Sequence, residues 1–233
     1  MAKRSSKKQR VQTPTPAPVS TIPAWFVRKK IHLLFIFGLS FLLYANTLTH
    51  DYTQDDAIVI YDNEFTTQGI AGIPAILKYD TFRGFFKVDG KEQLVAGGRY
   101  RPLTLVMFAV EVELFGQNPF IGHLVNILLY GLTGVILYLL LLQLGISEGK
   151  KTRWWVDNPA QVYFLALVTT LLFVAHPIHT EAVANIKGRD EIVTLLGSLA
   201  AVYFSFRAFF SNKPLLNLLV GTLFFAALLS KEN

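Results

Sequence analysis

Five blocks of nearly uninterrupted apolar residues, at 31–48, 120–144, 160–175, 192–210 and 215–229, leave this chain few folds to choose from. As a helix rising about 1.5 Å per residue, about 20 apolar residues cross the roughly 30 Å of bilayer hydrocarbon. Within lipid only helices and closed barrels satisfy their own backbone. The expected fold is therefore all-α and integral to the membrane, a polytopic bundle of about five transmembrane helices. The segment 49–119 between the first two blocks is polar, mixed and glycine-bearing, and reads as a long loop. Within it, 103–115 is apolar but short and carries Glu111 and Glu113, which predicts an interfacial helix rather than a crossing.

Composition agrees. Of 233 residues 52% are hydrophobic and 16% charged, against about a quarter charged in ordinary soluble domains. A net charge of +6 suggests a nucleic-acid partner only until its placement is considered. Eight of the 22 basic residues fall in the first thirty positions, with no acid among them. A basic arm before an apolar block is a topology signal, and no nucleic-acid partner is expected. Residues 1–30 read as a disordered basic cytoplasmic tail, with Pro14, Pro16 and Pro18 in it and Trp25 and Phe26 as an interfacial anchor. No small-residue cleavage site follows the first block, so it reads as an uncleaved span. The chain has no cysteine, which excludes disulfides and thiolate metal or redox sites.

Basic residues also set the expected orientation. The tail, the connector with Lys150, Lys151, Arg153 and the Trp154–Trp155 pair, and the turn with Arg207 and Lys213 alternate to one face, which the positive-inside rule makes cytoplasmic. The loops 49–119 and 176–190, and the C-terminal end, then share the extracytoplasmic face. The expected location is a multi-pass position in the cell (inner) membrane of a bacterium or the endoplasmic reticulum of a eukaryote, with a cytoplasmic N-terminus.

Three clusters in those loops carry chemistry. Asp55–Asp56 follow the first block. Paired carboxylates in a partly buried cleft raise one another's pKa, as suits a general base; they are equally an ordinary solvated loop or a helix cap. Arg99 and Arg101, beside Gly97, Gly98 and Pro102, suit either a substrate phosphate or lipid headgroups. No nucleotide-binding glycine motif is present. His176, His179 and Glu181, followed by Lys187, Arg189, Asp190 and Glu191, form the third cluster. Its spacing matches no zinc pattern well, so hydrogen bonding to a polar substrate is expected, and no metal or other cofactor is firmly implied. His32, His123 and Asn126 lie in or beside spans, facing the bundle interior or simply satisfied there.

In order, these motifs resemble one family. Asp55-Asp56, then Arg101-Pro-Leu-Thr, then Asn118-Pro-Phe with His123-Leu-Val-Asn126, then His176-Pro-Ile-His179-Thr-Glu181 with Gly188-Arg189-Asp190, and last Leu-Ser-Lys231-Glu232-Asn233, are similar to the N-terminal half of the transmembrane and tetratricopeptide-repeat-containing O-mannosyltransferases and their bacterial relatives, in the C-type glycosyltransferase superfamily. The resemblance covers 31–233 and implies a truncated portion of a longer enzyme. It implies transfer of a mannose-like hexose from a polyprenyl-phosphate sugar, such as dolichyl phosphate mannose, to the hydroxyl of an extracytoplasmic protein or glycan. Asp55, or else Asp56, is then the base. Arg99, Arg101, His176, His179, Glu181, Arg189 and Asp190 are expected to bind donor phosphate or substrate.

Two other readings are a transporter or permease component relaying protons through His32, His123 and Glu111, and a non-catalytic membrane scaffold whose outer loop binds a partner. The first requires its charges at mid-bilayer, whereas most of them cluster in the outer loops.

Overall fold

The computed structural model describes residues 28–53, 55–88, 90, 99–145, 159–211 and 213–231. The tail up to Val27, Gly97 and Gly98, and the basic connector with its two tryptophans lie outside the described residues.

Among the described residues every regular element is helical. The long ones are α1 (Lys29–Tyr44), α5 (Pro102–Phe115), α6 (Pro119–Gly145), α7 (Pro159–Val174), α9 (Arg189–Ser211) and α10 (Pro214–Ser230). Between α1 and α5 lie α2 (Glu64–Thr67), α3 (Ile73–Lys78) and α4 (Thr81–Phe86); α8 (Thr180–Ala184) separates α7 from α9. All five apolar blocks are helices within two or three residues of their expected ends.

The number of crossings is the point of difference. By length and composition three helices suffice to span a membrane: Lys29–Thr49, Pro119–Gly145 and Ile186–Ser211. A fourth is obtained only if α7 and the segment Pro177–Ala184, bent by 47° from it, are taken together. The helix α10, at 17 residues, is about 26 Å long and falls short of the hydrocarbon thickness.

Packing in the bundle is inside-out relative to a soluble protein. The buried stripe of α1 is His32, Ile36, Ser40 and Tyr44, at four-residue spacing, while Leu34 and Leu42 point outward. On α6, Asn126, Gly131, Thr133 and Gly134 are inside. A Cβ on Gly134 would lie 2.9 Å from Val174 and 3.0 Å from Ile36, so the glycine is what lets α1 and α7 close on α6. Small and polar residues between helices, with leucine and phenylalanine outside, are what lipid selects, because lipid solvates apolar side chains and leaves close packing to drive association. This is an all-α membrane bundle.

Helix α6 is the hub, in contact with α1, α7 and α9. It runs antiparallel to α1: His32 Nδ1 and Tyr138 Oη are 2.6 Å apart near one end, and the rings of Tyr44 and Tyr130 are 5.4 Å apart toward the other. The segment 49–119 is a folded cap with its own core of Val59, Ile60, Phe65, Ile76, Leu105, Phe108 and Ala109, joined by Ile186 from the other loop. Asn63 ties it together. Its Nδ2 donates to the carbonyls of Ile58 (2.9 Å) and Thr81 (3.0 Å), and its Oδ1 accepts from the amides of Phe65 (3.0 Å) and Thr66 (3.3 Å).

Every described acidic residue lies in 51–113 or 181–191, at the end of the bundle where the cap sits. Arg28, Lys29, Lys30, Arg207 and Lys213 lie at the other end.

Candidate active site

The second loop, 176–190, is folded tightly onto the cap. His176 Nδ1 accepts the amide of Ile178 at 3.2 Å and starts a 3-10 turn that leads into α8. Asn185 Oδ1 accepts the amide of Lys187 at 3.1 Å and starts a second turn that leads into α9. Gly188 passes under α8 so closely that a Cβ there would lie 2.3 Å from the carbonyl oxygen of Ala182. Asn126 on α6 fixes the loop from below, its Nδ2 donating to the carbonyls of Asn185 (3.0 Å) and Ile186 (3.2 Å).

Asp56 locks this loop to the first one. One carboxylate oxygen accepts the amide of Lys187 at 2.7 Å; the other accepts the amide (2.8 Å) and hydroxyl (3.1 Å) of Thr53. Asp56 is wholly buried. Beside it, burial and then the carboxylates of Asp56, Glu111 and Asp51 push the Tyr52 phenol up to about 12.

Arg189, expected at the substrate, is 0% exposed and spent on the protein itself. Its Nε donates to Asn126 Oδ1 at 2.9 Å, one terminal nitrogen pairs with Glu111, and the other donates to the Gly122 carbonyl at 3.1 Å. Its guanidinium lies 4.4 Å from the Phe108 ring centre. A buried guanidinium is tolerable only when its donors are satisfied in this way. Arg189 thus bolts α5, α6 and α9 together. Glu111 on α5, considered for a proton relay, is its counter-ion; burial raises its carboxyl above the usual range, against the pull of Arg189. His32 likewise makes an interhelical bond to Tyr138, and His123 is buried with its ring 6.1 Å from that of His50.

Two cavities meet above this framework. The larger, about 640 Å³, has Asp55, His179, Glu181, Asn185, Lys187, Asp190 and Glu191 around its upper part. It continues down between the helices past Tyr130 and Thr133 of α6 and Thr194, Leu195 and Ser198 of α9. The smaller, about 260 Å³, lies against the cap and is lined by Phe82, Arg99, Arg101, Thr104 and Phe108 among others. Asp55, Lys187 and Asp190 line both. The Asp55 side chain is 52% exposed, and its Oδ2 lies 3.7 Å from Lys187 Nζ. Arg101 pairs with Asp190 at 2.7 Å. Arg99 lies 5.5 Å from the Phe82 ring centre, its amide held by Asp80.

The expected residues therefore divide. Asp55, His179, Glu181 and Asp190 wall the larger cavity, and Arg99 and Arg101 the smaller. His176 lines neither; it is exposed and starts a turn. Asp56 and Arg189 are enclosed supports. Lys187 and Glu191 were visible in the sequence only as charges beside the third cluster. The fold gives Lys187 its place, since both Asp56 and Asn185 hold its amide.

With this geometry in view, the chain is similar to several proteins of known name. It is 35% identical over 164 residues to human protein O-mannosyl-transferase TMTC1, covering 70% of this chain and 16% of the human protein. It is 31% identical over 197 residues to Tmtc1 of Drosophila melanogaster, covering 84% of this chain and 20% of the fly protein. With human TMTC2 the figures are 32% over 156 residues, covering 66% of this chain and 16% of the relative. The chain thus spans a fifth or less of the length of these relatives. No family model matches it, and no solved structure does.

Proposed function

We propose that this chain, a homologue of the protein O-mannosyl-transferases, is the base-bearing part of a membrane glycosyltransferase that moves a hexose from a polyprenyl-phosphate donor to a protein hydroxyl. The observation that carries the reading is the position of Asp55. Its half-exposed carboxylate stands where two cavities meet, beside a lysine ammonium.

The larger cavity descends between α6 and α9, so a donor anchored by a lipid tail enters there. The smaller, walled by the cap, is the acceptor side. Asp55 takes the acceptor's O–H proton as that oxygen attacks the anomeric carbon. The bond from that carbon to the phosphate oxygen breaks, and its electron pair leaves with the polyprenyl phosphate. A phosphate leaving group needs charge stabilisation more than protonation. Lys187, and Arg101 held at the junction by Asp190, supply it. One carboxylate suffices for direct displacement with inversion. Glu181, His179 and Asn185 offer hydrogen bonds to sugar hydroxyls. In this reading the cap end faces away from the cytosol and the basic end faces it.

The test is transfer of a labelled hexose from a polyprenyl-phosphate hexose to a serine- or threonine-containing peptide by the full-length protein in a bilayer. Transfer should be present in the unaltered protein and lost in Asp55→Asn. Undiminished transfer by Asp55→Asn would remove Asp55 as the base.

A further inference from the structure

Three carboxylates on the wall of the larger cavity are each held by a cation. Asp55 has Lys187, Asp190 has Arg101, and Glu191 has Lys231. The last of these cations comes from furthest away. It is the residue that ends α10, delivered to the first turn of α9 because the two helices lie antiparallel in close contact. A Cβ on Gly197 would lie 3.1 Å from the Ala227 side chain, and Thr194 Oγ1 donates to the Ala227 carbonyl at 3.3 Å. Ser230 is fully buried. The ion pair itself is lopsided: the Lys231 side chain is 17% exposed, whereas that of Glu191 is 46% exposed and opens onto the cavity.

We infer that Lys231 is a further ligand for the phosphate of the prenyl-phosphate substrate, held by Glu191 while the cavity is empty and drawn to the phosphate when it is occupied. This rests on the donor reading given above. The electrostatics favour such an arrangement. A phosphodiester donor carries one negative charge, and the phosphomonoester left after transfer carries about 1.5 to 2 at neutral pH. Charge builds at one point during the reaction, and an ammonium one side chain away binds the product-like state better than the ground state. A stored partner keeps that ammonium from standing uncompensated in a largely covered position.

A purely structural pair accounts for the same contact, since an acid in the first turn of α9 and a base at the end of α10 both suit the helix dipoles. Binding measurements separate the two. Farnesyl phosphate is titrated into the full-length protein in phosphatidylcholine nanodiscs, with farnesol as the uncharged control. Lys231→Gln should weaken farnesyl phosphate binding roughly tenfold or more, as for loss of a charged hydrogen bond, and Lys231→Arg should largely restore it. Glu191→Gln should strengthen binding, because it frees the ammonium. Farnesol binding should not change in any variant. If Lys231→Gln and Glu191→Gln weaken binding alike, or neither changes it, Lys231 is structural and the inference fails while the donor reading stands. Equal displacement by inorganic phosphate or by added phosphatidylglycerol would make this a general anion or headgroup site and also overturn it. Absence of farnesyl phosphate binding by the unaltered protein would overturn this inference together with the donor reading.

Discussion

Asp55 and Asp56 are adjacent in the chain and opposite in environment: the Asp55 carboxylate opens onto both cavities at 52% exposure, while Asp56 is sealed in and accepts the Lys187 amide at 2.7 Å. The pair is one working carboxylate and one structural one. In the proposed reaction Asp55→Asn lowers turnover by about 10² to 10⁴ and leaves thermal stability near that of the parent. Asp56→Ala strands the amides of Lys187 and Thr53 and costs roughly 1–3 kcal/mol. Transfer assays and thermal unfolding, run on both variants, read out this division. Equal effects on the two measurements would refute it.

Removing one partner of the Arg189–Glu111 pair leaves a buried charge alone. Arg189→Met should destabilise the protein by roughly 3–5 kcal/mol. Adding Glu111→Gln to Arg189→Met should return part of that loss, because the stranded carboxylate is gone. A double-mutant cycle on unfolding midpoints measures the coupling; strict additivity would mean that the two groups do not act as a pair.

Gly188 and Gly122 predict different tolerances. Alanine at 188 meets the Ala182 carbonyl at 2.3 Å, which is backbone and cannot swing away. Alanine at 122 meets the Ile186 side chain at 2.8 Å, which can. Gly188→Ala should cost about 1–3 kcal/mol and also displace Lys187, so that both stability and transfer fall; Gly122→Ala should be milder in both.

The raised Tyr52 phenol gives a pH prediction. The folded protein holds this proton more tightly than the unfolded chain, whose phenol titrates near 10. The associated stability is fully present below pH of about 10 and is lost as pH rises from about 10 to about 12. Tyr52→Phe, which has no proton to lose, should flatten that alkaline limb in thermal midpoints recorded against pH. An unchanged limb would mean that another group causes it.

Because the sequence lacks cysteine, single cysteines report sidedness cleanly. Cysteines at 181 and 62 should react with a membrane-impermeant maleimide from the same side, and a cysteine at 213 only from the other. Reaction of 181 and 213 from one side would break the proposed topology.

What was legible in the sequence was whatever depends on local runs. The apolar blocks became α1, α6, α7, α9 and α10 at nearly their expected positions, because the length of an apolar run is an intrinsic property. Crossing number was less legible: α10 reads as a span by composition yet forms only 17 helical residues. The gathering of Asp55, Glu181 and Asp190 about one cavity followed from counting sides. The roles of Asp56 and Arg189 did not, because they depend on partners far along the chain. Lys187 lies 131 residues from Asp56, and Glu111 lies 78 residues from Arg189. A carboxylate or guanidinium in a motif looks the same whether it meets substrate or backbone. Asn63, which makes four bonds at the centre of the cap, carried only the weak local signal of an asparagine before a short helix.

The placement of Ser40, Gly131, Gly134 and Thr133 inward and of Leu34, Leu42, Leu172 and Phe209 outward reverses the usual guide to which substitutions matter. The bulky, greasy positions can trade among themselves with little consequence, since any hydrocarbon is as welcome as another beside an acyl chain. The modest ones, a serine or a glycine that would pass for filler in a cytosolic enzyme, are where a single added methyl group pushes two rods apart.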